Sequence, residues 1–277
     1  MAAVRAGLRA ALELRFRPNR DTAVAFALGL LVIGISAILP LFTADAPGDT
    51  IAYVLLRDVI MVAGLGFLVP IYYTLFVKKR GAGELGFTKK KWLASLIIGL
   101  ALGVFFLLNF VGEAGQEGQS VFLDAGAISP VFYLMLVGAF EVVFFYVFLR
   151  QQFEEAFGVL PALALAAAFY SLHHAGFQPE FVKLFFVGLI YAATFRLTLN
   201  LLAVYPFFWG VGGCWDVLVM SDAVAGSGIL NSAARGLLLL ALMAAALACV
   251  YWKSKGTKAA GRPSRPDMPA AKNARHD

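Results

Sequence analysis

The chain reads as an all-α membrane protein of about eight transmembrane helices, and three observations predict this. Of its 277 residues, 61% are apolar and only 14% are charged, against about 45–50% and 25% in soluble domains. The apolar residues gather into runs near the ~20 residues that a bilayer-crossing helix needs. The Lys and Arg residues collect in the segments between alternate runs, the asymmetry that fixes orientation in a membrane.

Residues 1–20, MAAVRAGLRAALELRFRPNR, are basic and moderately amphipathic, with Arg5, Arg9, Arg15, Arg17 and Arg20. A secretory signal places a short apolar core early and ends at a small-residue cleavage site. Here Arg15, Arg17 and Arg20 interrupt, and the following run from Thr22 to Ala44 is long enough to span. The expectation is an uncleaved anchor preceded by a helix lying on the membrane surface. Residues 21–252 then form one polytopic domain, with spans expected at 22–44, 59–77, 92–112, 131–149, 159–175, 181–197, 200–220 and 236–252. In the seventh span Pro206 and the cluster Gly210, Gly212 and Gly213 suggest a kinked or closely packed helix. Residues 253–277 are polar, basic and Pro-containing, a composition that predicts a disordered tail.

Basic residues lie in the N-terminal segment, in KKRGAGELGFTKKK (78–91), around Arg150, near Arg196 and in the tail. The alternate loops carry Asp45 and Asp49, then Glu113, Glu117 and Asp124, then Gln178 and Glu180, then Asp222. This places both termini in the cytoplasm. The net charge of +6 sits in flanks of spanning helices, so it reads as orientation and lipid contact rather than nucleic-acid binding. Cys214 and Cys249 both lie in apolar runs, which gives neither a disulfide framework nor a zinc–cysteine site. Arg57, Asp58 and Arg235 read as interfacial anchors.

Glu141 is the one charged residue between Val131 and Leu149. A carboxylate at the membrane centre costs about 2.5–3.5 kcal/mol even on insertion scales, and such groups are functional by default. Its structural alternative is a protonated side chain bonded to a neighbouring helix. Glu141 lies roughly 14 Å from the cytoplasmic end of its span, His173 roughly 21 Å and Asp216 roughly 24 Å, at 1.5 Å per residue. The three could therefore meet at similar depth. Phe169 and His173 are four apart and share a helix face, whereas His174 points about 100° away and reads as an interfacial cap. Asp216 could equally be satisfied by Trp209 or Trp215. Glu154 and Glu155 look like a carboxylate pair but read as a solvated helix end.

The segment Glu141–Gly158, EVVFFYVFLRQQFEEAFG, resembles the first motif of the CAAX protease and bacteriocin-processing (Abi) family of intramembrane proteases, E-E-x-x-x-R-G followed by an F-G ending. Phe169 and His173 match the second motif, F-x-x-x-H, and Asp216 matches the last position of the third, H-x-x-x-N/D. ELGFTKKKWLASLIIGLALG resembles the family's lead-in to an earlier helix, so the similarity covers roughly residues 80–220. The resemblance implies eight helices around an intramembrane polar cavity in a bacterial or archaeal cytoplasmic membrane. It also implies hydrolysis of a peptide bond in a membrane-protein or lipidated substrate. Glu141 would activate water with His173 assisting, and Asp216 would polarise substrate or position water.

The chain departs from that pattern at four places: Val142, Tyr146 and Val147 stand for the second glutamate, the arginine and the glycine, and Gly212 for the third-motif histidine. His174 is the nearest residue that could replace the lost histidine. No cofactor is expected, with a divalent zinc as the alternative. If a divalent zinc took part, Glu141, His173 and Asp216 would be its ligands, with a fourth position open. The departures motivate a second expectation, a catalytically impaired relative acting as a membrane-bound binding, immunity or adaptor protein.

Overall fold

The structure, a computed structural model, describes residues 13–42, 47–116, 128–175, 180–205, 212 and 232–260, without the side chains of 47–49, 175 and 253–260. Among the described residues all regular structure is helical. Six helices are long and apolar enough to cross a membrane: α1 (Arg20–Leu41), α2 (Thr50–Val77), α3 (Trp92–Gln116), α4 (Ile128–Phe157), α6 (Glu180–Thr198) and the Ser232–Trp252 part of α7. The shorter α5 covers Val159–Ala175. Apolar side chains point outward from these helices, among them Leu30, Ile97, Phe105 and Leu108. A chain of this kind is an integral membrane protein.

Helix α4 is the axis of the bundle. Every residue from Val142 to Leu149 is at most 2% exposed, so this stretch is enclosed on all sides, as its uninterrupted apolarity requires. It is wound more widely than an α-helix, and the Arg150 N–H reaches back five residues to the Phe145 carbonyl. Around it pack α1, α2, α5 and α6.

Helix α1 begins at a reciprocal cap. The Asn19 side chain accepts from the Thr22 N–H at 3.0 Å, and Thr22 Oγ1 accepts from the Asn19 N–H at 3.2 Å. Before it, residues 13–19 form no helix, so they are not part of the expected surface helix. The reason lies in the end of α4, whose last carbonyls have no helical partner. Arg15 N–H donates to Phe157 O at 3.1 Å and Arg17 N–H to Ala156 O at 2.8 Å. Gly158 allows this strap to lie close: its φ is +91°, and a Cβ there would collide with the Glu13 carbonyl.

Two expected span boundaries move outward for one reason, that their polar residues are paired inside the bundle. Helix α2 starts well before residue 59 because Asp58 is buried against Arg235 and Tyr133. Helix α4 runs on past Arg150 because Arg150 pairs with Glu154 and donates from Nε to the Tyr146 carbonyl at 2.9 Å. The expected start of the seventh span is corrected. Leu201–Ala203 is a short 3-10 turn, tied down by Asn200, which donates to the carbonyls of Thr88 and Lys90 at 3.1 and 3.0 Å. Of the rest of that span only Gly212 belongs to the described residues.

Ion pairs sort the helix ends. At one end, Lys78 bridges Asp21 of α1 and Glu155 of α4, and Arg196 of α6 meets Glu154 at 2.7 Å. Burial alone would lower the Lys78 ammonium, but its bonds to Asp21 and Glu155 outweigh this and hold it above the usual lysine range. At the other end, Arg235 of α7 meets Asp58 of α2, and Lys183 of α6 meets Glu113 of α3 at 2.9 Å. Helix α7 therefore starts at the second end and runs toward the first, where the N-terminal strap also lies.

Gly158→Ala forces a side chain into a backbone region that only glycine occupies freely, at a cost of about 1–3 kcal/mol, and displaces the strap. We expect a lower thermal unfolding midpoint in detergent and faster proteolysis within residues 13–19. An unchanged midpoint would show that the strap contributes nothing.

Candidate functional site

Glu141 sits where α4 passes from ordinary to wider winding, the kind of local irregularity that recurs at functional sites. Its side chain is 4% exposed. A buried carboxylate must find charge or hydrogen-bond compensation, and α5 provides it. His173 and His174, in the last turn of that helix, both turn Nε2 toward Glu141. His174 Nε2 is 3.3 Å from Oε2 and His173 Nε2 is 3.8 Å from Oε1. The expected meeting of Glu141 and His173 is therefore seen. The reading of His174 as an interfacial cap is corrected, since it is the nearer of the two to Glu141. Consecutive residues can do this because they approach the carboxylate from two sides, with ring centroids 5.0 Å apart.

A third helix fixes the His173 ring. Ser36 of α1 lies 2.6 Å by Oγ from His173 Nδ1 and 2.9 Å from the Val32 carbonyl. The hydroxyl has a single proton. Given to Val32 O, it leaves the Ser36 oxygen to accept from His173 Nδ1–H. The neutral imidazole then turns the lone pair of Nε2 toward Glu141. At 3.8 Å the two are too far for a direct hydrogen bond, and both are acceptors. A shared proton, or a cation between them, satisfies that arrangement.

Aromatic rings wall the cluster. Phe140 and Phe145 flank His173 at 5.5 and 5.4 Å, and Tyr170 lies 4.7 Å from His174. Tyr146 is fully buried between Tyr170 and Tyr191, at 5.5 and 5.4 Å. Gly212 borders the same stack: a Cβ at Gly212 would stand 2.6 Å from the Tyr191 hydroxyl. Phe169 does not reach Glu141. It packs on Phe26 and Phe153 at 5.8 and 5.7 Å and against Gly29, seating α5 on α1 one turn from His173.

Glu141, His173 and His174 together offer one carboxylate oxygen and two imidazole nitrogens within 4.8 Å of one another. This donor set fits zinc, and the Ser36 bond is the kind of outer contact that orients a ligating histidine. His174 is the third member of this donor set; Asp216, expected as a ligand from the sequence, lies outside the described residues, as does Cys214. Cys249 is exposed on α7. Glu154 and Glu155 are ion-paired with Arg150, Arg196, Lys78 and Arg80 and form no catalytic pair.

Two features escaped the sequence. Ser36 is the one hydroxyl in GLLVIGISAIL, and that isolation was its only signal. Arg57, Asp58 and Arg235, expected as anchors, belong with Tyr53 and Tyr133 to a packed polar cluster in which Asp58 is fully buried. The chain matches no family model, no curated protein and no solved structure.

Replacing Ser36 by Ala orphans the His173 Nδ1–H, and a buried unsatisfied donor costs about 1–3 kcal/mol. We expect a lower unfolding midpoint for Ser36→Ala, together with a changed His173 tautomer ratio in 15N NMR of labelled histidine. Unaltered His173 signals would show that Ser36 does not set the tautomer.

Proposed function

We propose that the chain is an intramembrane endopeptidase that hydrolyses a peptide bond in a membrane-protein or lipidated substrate, with Glu141, His173 and His174 as its centre. The observation that carries this reading is the enclosure of Glu141 with two imidazoles at 3.3 and 3.8 Å inside an apolar bundle. A carboxylate and a ring nitrogen facing one another as acceptors are suited to bind and deprotonate a water. Glu141 takes the proton, and the water oxygen adds to the scissile carbonyl. The Glu141 proton then passes to the departing amine as the C–N bond breaks. His174, with 34% of its side chain exposed, is the more open of the two imidazoles. Protonated, it can donate to the oxyanion in place of the family's third-motif histidine. The Tyr191 hydroxyl fills the space into which a side chain at Gly212 would grow. Asp216 positions water or substrate in this scheme.

Zinc held by Glu141, His173 and His174 would supply Lewis-acid polarisation and a more acidic water. Eight crossings, a polar cavity around Glu141 and cytoplasmic placement of both termini belong to the same proposal. So does a bacterial or archaeal cytoplasmic membrane as its home. The basic segments supply the orientation, with the Lys78 end inward. The interacting molecules are lipids and a peptide, not nucleic acid.

One observation favours a second reading. Tyr146 and Val147 are fully buried in an aromatic core, where the family resemblance implies an arginine and a glycine. A relative rebuilt in this way would bind a peptide, lipid or partner helix without cutting it.

Glu141→Gln and His173→Ala should each lower cleavage of a lipidated reporter peptide by about 10²–10⁴-fold, with membrane insertion unchanged. Wild-type processing by both variants would sink the protease reading. No turnover by the wild-type chain, with peptide binding intact in Glu141→Gln, would establish the binding protein instead. His174→Ala should reduce turnover more than it reduces peptide affinity, read as a fall in kcat at similar KM.

A further inference from the structure

The polar cluster formed by the start of α2, α4 and α7 holds two guanidinium groups and one carboxylate. Arg235 takes the carboxylate on both oxygens, Nε to Asp58 Oδ2 at 2.7 Å and Nη2 to Oδ1 at 3.0 Å. The Tyr133 hydroxyl adds a third bond to Oδ1 at 2.7 Å. Asp58 is thereby saturated. Arg57 is held by other means: Nη1 donates to the Tyr53 hydroxyl at 2.9 Å, and its guanidinium lies 5.7 and 5.4 Å from the ring centroids of Tyr53 and Tyr133. Among the described residues no carboxylate forms an ion pair with Arg57, and its Nε and Nη2 edge makes no hydrogen bond.

This cation is connected to the Glu141 cluster through α2 and α4. Met61, four residues on in α2, touches Ser36 Oγ at 3.5 Å, and Ser36 holds His173. Arg57 is thus about one turn of α2 from the residue that makes that contact. Along α4, Tyr133 precedes Glu141 by eight residues, roughly 12 Å. The free edge of a guanidinium presents two parallel N–H groups, the match for a planar carboxylate. A single cation balances one negative charge, not the two of a phosphate monoester.

We propose that Arg57, seated on Tyr53 and Tyr133, receives the carboxylate of a peptide ligand whose body reaches Glu141, His173 and His174. The assignment makes Arg57 a specificity-determining residue, and it rests on the reading that this cluster handles the ligand.

The test uses the full chain carrying Glu141→Gln, in nanodiscs of zwitterionic lipid, so that cleavage cannot consume the probe. The probe is a short N-acylated apolar peptide whose only charge is its terminal carboxylate, compared with its C-terminal amide and with dodecyl phosphate. The acid should bind about tenfold or more tightly than the amide and the phosphate. Adding Arg57→Gln should erase that preference, and Arg57→Lys should keep part of it. Equal binding of acid and amide, no binding of either, preference for the phosphate, or selectivity that survives Arg57→Gln would each overturn the assignment. Should Arg57→Gln not fold, the acid–amide comparison and Arg57→Lys still decide. Hydrolysis is measured separately with Glu141 intact. Acid-selective binding without turnover sinks the protease reading and leaves Arg57 standing; equal turnover of acid and amide does the reverse.

Discussion

The bundle is organised around the need to compensate one buried carboxylate. Glu141 cannot stay ionised among Phe140, Phe144 and Phe145 unless something polar turns toward it. The two imidazoles that do so come from a helix of 17 residues, short enough that its last turn falls level with Glu141 instead of at the bundle's end. Ser36 then orients the His173 ring from α1, and Phe169 seats α5 against that same helix. Three helices are thus registered by one charge. Shifting any of them by a residue would leave an acceptor, a donor or a carboxylate unmatched.

The same rule sets the two ends. The Lys78 end is bound by a chain of acid–base contacts running through Asp21, Glu155 and Arg80, partly open to water and individually weak. The opposite end concentrates its polarity in one enclosed knot, where Asp58 accepts from Arg235 and Tyr133. Removing one partner from such a knot is far more damaging than removing one from the outer chain, because it strands a buried charge. The protein is therefore fastened loosely at one end and tightly at the other.

Much of this was legible in the sequence, and what was not has a common cause. Glu141 stood out because a lone carboxylate in an apolar run is conspicuous, and the spacing to His173 placed both at one depth. His174 was misjudged because helical periodicity assigns neighbours to different faces. That argument omits a target placed between the faces, which two side chains can reach from either side. Arg57, Asp58 and Arg235 were read as anchors because hydropathy scores residues singly, and a saturated Arg–Asp–Tyr knot is far less polar than its parts. The non-helical stretch at 13–19 was hidden for a similar reason: its partners are the end carbonyls of α4, about 140 residues away.

The Asp58–Arg235 pair also has a bearing on how the protein is made. The partners are 177 residues apart, and Tyr133 comes 75 residues after Asp58. At about 5–20 residues per second, the ribosome needs roughly 9–35 s to deliver the arginine after the aspartate. During that interval Asp58 lacks the bidentate partner it has in the finished fold, first with neither side-chain partner and then with a single phenol. The knot stays incomplete until α7 arrives. Completion of this knot is then gated by the segment that carries Arg235, and a chain truncated before it would lack the bidentate partner of Asp58.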